Sequence, residues 1–253
     1  MLQRLRKKLG AGLTVAGSRL TGTSKTPQEL RNPVLEPWIT EIWHEVQPFT
    51  MTSESRLSVM CLATDYVTRR GLPGAIVECG VWRGGTMMAT ARTLQRNGVT
   101  DRPLWLYDTF EGMTAPTEHD LDVGGRGAAE QLAQSDRSTT SHVWAYAAIE
   151  DVEANLRSTG YESFRLIKGD VLQTIPGEAP DEIAILRLDT DWYESTKHEL
   201  ECLFDRLVPG GVLIVDDYGH WQGSRKALDE YLSRSDRELL LLPIDYTGVV
   251  AIV

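Results

Sequence analysis

From residue 74 onward, short apolar runs alternate with stretches whose apolar positions recur at helical spacing. The runs at 75–79, 104–107, 164–168, 183–188 and 212–215 are short and nearly unbroken, as strands buried on both faces are. The intervening stretches predict helices over 86–96, 144–157, 195–207 and 221–233. A further helix is predicted over 53–70, where Ser53 supplies a cap and Leu57, Met60, Cys61, Ala63 and Val67 keep the period. Alternation of this kind builds a mostly parallel sheet with helices on both faces, an α/β fold. The tail, at 239–242 and 247–253 with a turn around 243–245, predicts an antiparallel pair closing one edge, for about seven strands in all.

Two segments break the rhythm. Residues 109–143 are polar, glycine-rich and weakly periodic, and a loop this long inside a domain is a lid, a surface insertion or disordered. Its base follows the second strand, so a lid over a substrate is the expectation. Ahead of the alternating region, residues 20–37 are rich in Thr, Ser and Pro, and 38–49 are aromatic and partly helical. This gives an N-terminal arm and helical extension over 1–50 and a catalytic domain over 51–253.

Charge and composition narrow the function classes. The net charge of −10 hides an asymmetry, because residues 1–25 carry six basic side chains and no acidic one. The acidic remainder argues against a nucleic-acid partner, which wants a basic face. No stretch approaches the roughly 20 apolar residues of a membrane span. Leu2, Leu5, Leu9 and Leu13 space like a short amphipathic helix, read as a subunit contact or a mobile arm. Cys61, Cys79 and Cys202 lack CxxC spacing and fit core positions in a reducing cytoplasm. The five histidines show neither HxH nor HExxH spacing, so any metal here is oxygen-bound.

The candidate chemistry sits directly after the apolar runs. Leu188-Asp189-Thr190-Asp191-Trp192 follows one run and Val215-Asp216-Asp217-Tyr218 another, which puts four aspartates at the carboxyl edge of one sheet, where open α/β folds bind ligands. Carboxylates gathered there repel unless a proton or cation separates them, and a hard divalent ion suits oxygen donors. Helix capping is the competing explanation.

The first strand ends in Glu78-Cys79-Gly80-Val81-Trp82-Arg83-Gly84-Gly85-Thr86, a glycine turn that is too crowded for a pyrophosphate but open to a cationic ligand near Glu78. Asp108 ends the second strand, where it suits ribose hydroxyls, and Asp170 follows the third, where it suits an adenine amino group. Three acidic strand ends and a glycine turn point to a nucleoside without phosphates, and so to S-adenosylmethionine.

With Phe49-Thr50-Met51-Thr52-Ser53 and Tyr107-Asp108-Thr109-Phe110-Glu111-Gly112-Met113 added, the chain from about residue 48 resembles the macrocin O-methyltransferase family of bacterial natural-product biosynthesis. The resemblance implies a Rossmann-like methyltransferase that uses S-adenosylmethionine and Mg²⁺ to methylate a deoxysugar hydroxyl, in a homodimer or larger homo-oligomer. It implies metal ligation by Asp189, Asp216 and Asp217 and a general base at Asp191. The cofactor positions it implies are Thr52, Glu78, Gly80, Trp82, Arg83, Gly84, Gly85, Thr86, Asp108 and Asp170. The acceptor, free nucleotide sugar or finished glycoside, is left open. So are a catechol-type methyltransferase, a hydroxylase resembling cephalosporin-tailoring enzymes, and a non-catalytic binding protein with a degenerate site.

Overall fold

The computed structural model describes residues 36–135 and 144–253. The expected N-terminal amphipathic helix, most of the linker, and residues 136–143 of the insertion lie outside the described residues.

Five parallel strands form the centre of the sheet: β1 (Ala75–Cys79), β2 (Leu104–Asp108), β3 (Phe164–Lys168), β4 (Ile183–Leu188) and β5 (Leu207–Val215). Two short strands, β6 (Leu242–Pro243) and β7 (Val249–Ile252), complete it. The order is β3-β2-β1-β4-β5-β7-β6, with β7 antiparallel to β5 and to β6. Crossovers run one way from β1 to β3 and the other way through β4 and β5. The switch falls between β1 and β4, where open α/β sheets bind their ligands. Register aligns Cys79 with Leu188, and Leu188 with Val215, so Gly80, Asp189 and Asp216 leave the sheet side by side.

The helices are α1 (Pro37–Val46), α2 (Glu54–Arg69), α3 (Gly85–Arg96), α4 (Ala128–Gln134), α5 (Ile149–Ser158), the single turn α6 (Val171–Thr174), α7 (Tyr193–Leu203) and α8 (Gln222–Arg234). Ser53 caps α2 by accepting the Arg56 N–H at 3.2 Å, as its position in the sequence predicts. One sheet face packs Val77, Cys79, Leu186, Leu188, Leu213 and Val215 into a core with Leu200, Leu203 and Leu228 of α7 and α8. Side-chain alternation puts the register partners Glu78 and Arg187 on the opposite face. Among the described residues no helix is long and apolar enough to cross a membrane.

Several boundaries differ from the sequence reading. The helix expected from 144 begins at Ile149, because Ala145 holds φ +45° and the chain before Ile149 is non-helical. β5 begins at Leu207 rather than 212. Ile183 pairs Leu207 but Ile185 pairs Val212, so Pro209, Gly210 and Gly211 are accommodated as a bulge instead of ending the strand. The tail pairs as expected but over fewer residues. Cys61 and Cys79 are buried, whereas Cys202 is only partly so.

The insertion is docked over the site. Trp192 Nε1 donates to the Thr114 carbonyl at 3.1 Å. Leu121 bridges Gly127, and Asp122 bridges Trp221. The fully buried Asp120 accepts the Tyr193 N–H at 2.7 Å, at the start of α7.

Candidate active site

Arg187, 2 % exposed, organises the carboxylates at the switch point. Its Nη1 reaches Glu78 Oε1 at 2.5 Å and Asp189 Oδ2 at 2.7 Å, and its Nη2 reaches Asp216 Oδ1 at 2.5 Å. Burial alone would lower the guanidinium pKa; three carboxylates more than offset it and raise it. From α2, Arg56 pairs with the second oxygen of Asp216 and, at 3.1 Å, with Asp245. Both oxygens of Asp216 are therefore held by guanidinium groups.

The remaining three aspartates converge. Carboxylate oxygens of Asp189, Asp191 and Asp217 all lie within 4.8 Å of one another. Asp191 adopts φ +66°, a left-handed conformation that Asp tolerates better than most residues. The Trp192 N–H closes the turn on the Thr190 carbonyl at 2.7 Å. Behind the loop, Thr190 Oγ1 donates to the buried Glu199 carboxylate at 3.0 Å. Burial pushes Asp191 up to about 7, with the neighbouring charges of Asp189 and Asp216 adding to it and a hydrogen bond with Asp217 opposing. Burial also raises Asp189 and Asp217 well above the usual carboxylate range. Asp217 Oδ2 is buried without a hydrogen-bond partner.

Two adjoining cavities meet at this edge. One, of about 540 Å³, is bordered by Asp108, Gly169 and Asp170. The other, of about 1140 Å³, holds the acidic cluster, Thr52, Thr86 and Trp221. Gly80, Trp82 and Asp189 line both.

The expected cofactor residues divide by what they touch. Asp108 fastens the glycine turn: Oδ2 accepts the Val81 and Trp82 N–H groups at 2.8 and 3.1 Å, and Oδ1 accepts that of Phe110 at 2.8 Å. Gly80, at φ +81°, lies so close to β4 that a Cβ would sit 2.0 Å from the Asp189 carbonyl oxygen. Gly84 packs against Leu156, and Gly85 against the Phe49 backbone; neither lines a cavity. Arg83 is turned away too, donating to the Pro48 carbonyl at 2.9 Å with its guanidinium 5.1 Å from the Phe49 ring centre. Asp170 caps α6 through the Leu172 N–H at 3.0 Å while bordering the smaller cavity. Thr52, Glu78 and Trp82 line the larger cavity, and their Oγ1, Oε2 and Nε1 atoms are buried without a hydrogen-bond partner.

Sequence reasoning missed Arg187, Arg56 and Glu199. A lone arginine inside the run Ile183–Leu188 was a readable signal, since a buried cation requires counter-charges nearby. Nothing local marked Arg56, which is 160 residues from Asp216.

Residues 40–251 match the macrocin-O-methyltransferase family. A tetracenomycin-C derivative 4'-O-methyltransferase of Streptomyces olivaceus is 34% identical over 203 residues, covering 79% of this chain and 74% of that protein. Demethyldecarbamoylnovobiocin O-methyltransferase of Streptomyces niveus is 34% identical over 204 residues, with the same two coverages. Among solved structures, the O-methyltransferase NovP superposes with a TM-score of 0.69 at 32% identity, covering 81% of each chain. The calicheamicin methyltransferase CalS11, at 20% identity and TM-score 0.56 over 91% of this chain and 98% of its own, shares the Rossmann-like fold. A doubly wound sheet with acidic strand ends at its switch point, and a match over nearly all of that sheet, place this chain in the macrocin-O-methyltransferase family, as a methyltransferase.

Proposed function

We propose that this protein transfers the methyl group of S-adenosylmethionine to a hydroxyl of a deoxysugar in natural-product biosynthesis. The observation that carries the reading is the convergence of Asp189, Asp191 and Asp217 at a cavity also lined by Thr52, Glu78 and Trp82, each with a buried, unpartnered polar atom. One relative is named for a rhamnosyl tetracenomycin C, a second for demethyldecarbamoylnovobiocin and a third for mycinamicin III.

The orphaned atoms suit the charged end of the cofactor. Glu78 would supply an acceptor for its ammonium, and Thr52 and Trp82 would supply donors for its carboxylate. Asp108 and Asp170 border the neighbouring cavity, the proposed place of the nucleoside.

The donor set also fits a divalent cation, because half-buried Asp189 and Asp191 and buried Asp217, with its unpartnered Oδ2, offer the oxygen-only carboxylates that a hard ion requires. Asp189 and Asp217 are the residues proposed to hold it, and Asp216 instead anchors Arg187 and Arg56. Such an ion, when bound, supplies Lewis acidity that makes an alcohol easier to ionise.

Asp191 is the proposed base. A group with a pKa of about 7 is matched to proton removal near neutrality, and its left-handed turn faces the cavity shared with Asp217. Trp82 and Met113 line this cavity and would help to shield the reacting groups from water, and an in-line reaction would need the acceptor oxygen held by the same lining.

The test is incubation of the purified protein with S-adenosylmethionine, Mg²⁺ and a panel of deoxyhexose glycosides, with and without EDTA. Formation of S-adenosylhomocysteine, together with a product heavier by one CH₂ group, is expected, and EDTA should suppress both. A product heavier by one oxygen, or no turnover with any sugar, would overturn the reading.

A further inference from the structure

Four aromatic rings lead outward from the acidic cluster, and the chemistry above uses none of them. Trp192, next to Asp191 in sequence, meets Trp221 edge to face with ring centres 5.0 Å apart. Trp221 meets His220 at 4.9 Å, and His220 meets Tyr246 at 6.0 Å, again edge to face. Exposure climbs along the series, from 3 % at Trp192 and 7 % at Trp221 to 71 % at Tyr246. Trp221, His220 and Tyr246 line the same cavity as Asp191.

The outermost ring is exposed but not loose. Asp245 Oδ1 accepts the Thr247 and Gly248 N–H groups at 2.9 and 3.0 Å, and its Oδ2 accepts the Ser53 hydroxyl at 2.7 Å. Gly219 donates to the Thr247 carbonyl at 2.7 Å and approaches so closely that a Cβ would lie 1.9 Å from the Tyr246 carbonyl oxygen. With its backbone fixed, an aromatic side chain with only two torsions loses little freedom when it stacks on a ligand.

The charges in the cavity say what the ligand is. Its cations, among the described residues, are Arg56 and Arg187, and both are ion-paired to buried carboxylates. The five carboxylates of the cavity exceed its two guanidinium groups by three, more than the proposed divalent cation offsets, so a diphosphate placed there meets net negative charge.

We propose that Trp221, His220 and Tyr246 form an aromatic wall that selects the acceptor: it stacks against the uncharged, planar or apolar body of a glycoside whose sugar reaches Asp191, and it disfavours nucleoside diphosphate sugars. The proposal rests on the sugar O-methylation reading above.

The test compares three acceptors carrying the same deoxyhexose: a methyl glycoside, a naphthyl glycoside and a nucleoside diphosphate sugar. In the wild type, kcat/KM should be highest for the naphthyl glycoside and lowest for the nucleotide sugar. Tyr246→Ala should reduce the naphthyl-over-methyl preference about tenfold, mainly through KM, and Tyr246→Phe should keep it. Calorimetric titration with S-adenosylhomocysteine checks that each variant still folds and binds cofactor. An unchanged preference in Tyr246→Ala overturns the proposal, as does a nucleotide sugar being the best wild-type acceptor. If the wild type methylates none of the three, the sugar reading itself fails and the proposal falls with it.

Discussion

Replacing Arg187 by Met removes one buried cation from three carboxylates that it contacts at 2.5–2.7 Å. Met fills a similar volume, so the effect is chiefly electrostatic. Breaking a buried ion pair by deleting one partner costs about 3–5 kcal/mol, because the other charge is left uncompensated. For a domain of this size, that is a fall of roughly 6–20 °C in Tm.

The pH dependence has a definite sign. Burial already holds Glu78 at about 7 with Arg187 present, above its ordinary 4.5, and losing the cation raises it further. A carboxyl whose folded pKa exceeds its unfolded one contributes stability that is complete below the unfolded value and drains away as pH rises through the folded value. The Arg187→Met deficit should therefore be small near about pH 5 and large near about pH 8. Thermal unfolding of wild type, Arg187→Met and Arg187→Lys at both pH values is the assay. Lys keeps the charge but loses the fork that serves three partners, so it should fall between the other two. A deficit below about 1 kcal/mol at the higher pH, or one that grows on acidification, would refute the role assigned to Arg187.

Two other perturbations separate the proposed roles. Asp191→Asn should lower turnover by about 10²–10⁴-fold while S-adenosylhomocysteine still binds by calorimetry. In the wild type, kcat/KM should rise with pH to a plateau above about 7, because only the ionised Asp191 accepts a proton; a profile already flat at pH 5 would point to a different base. Gly80→Ala forces a Cβ within 2.0 Å of the Asp189 carbonyl at a left-handed φ, so it should destabilise the fold by at least about 2 kcal/mol in chemical denaturation.

The parts of the fold that were legible are those where burial alone dictates the sequence. β1 and β4 lie inside the sheet, buried along their whole length, and their limits coincide with the runs, as do those of the edge strand β3 despite its partial exposure. β5 was read short because Pro209, Gly210 and Gly211 look like a terminator, and only the offset pairing with β4 reveals a bulge. Parallel topology also made the acidic edge legible, since residues that follow aligned strand ends must emerge together. The division of labour among those carboxylates was hidden. Whether Asp216 is available to a ligand is decided by Arg56, whose arrival depends on how α2 packs over the sheet and leaves no local trace.

Charge balance ties these observations together. The larger cavity gathers five carboxylates, Glu78, Asp189, Asp191, Asp216 and Asp217, around the guanidinium groups of Arg56 and Arg187. Arg187 links strands β1 and β4 to Asp216 at the end of β5, so its cost is shared by the framework, and Asp216 is consumed with it. The excess negative charge then falls on Asp189, Asp191 and Asp217, the group with the unpartnered oxygen. Protons offset that excess in acid, as the raised pKa values of all three require. As pH rises those protons leave, and the proposed cation on Asp189 and Asp217 would take over the offset, whereas a proton bound to Asp191 would defeat its proposed role. The proposed cation would thereby lower the pKa of Asp191 and leave it free to act as the proposed base.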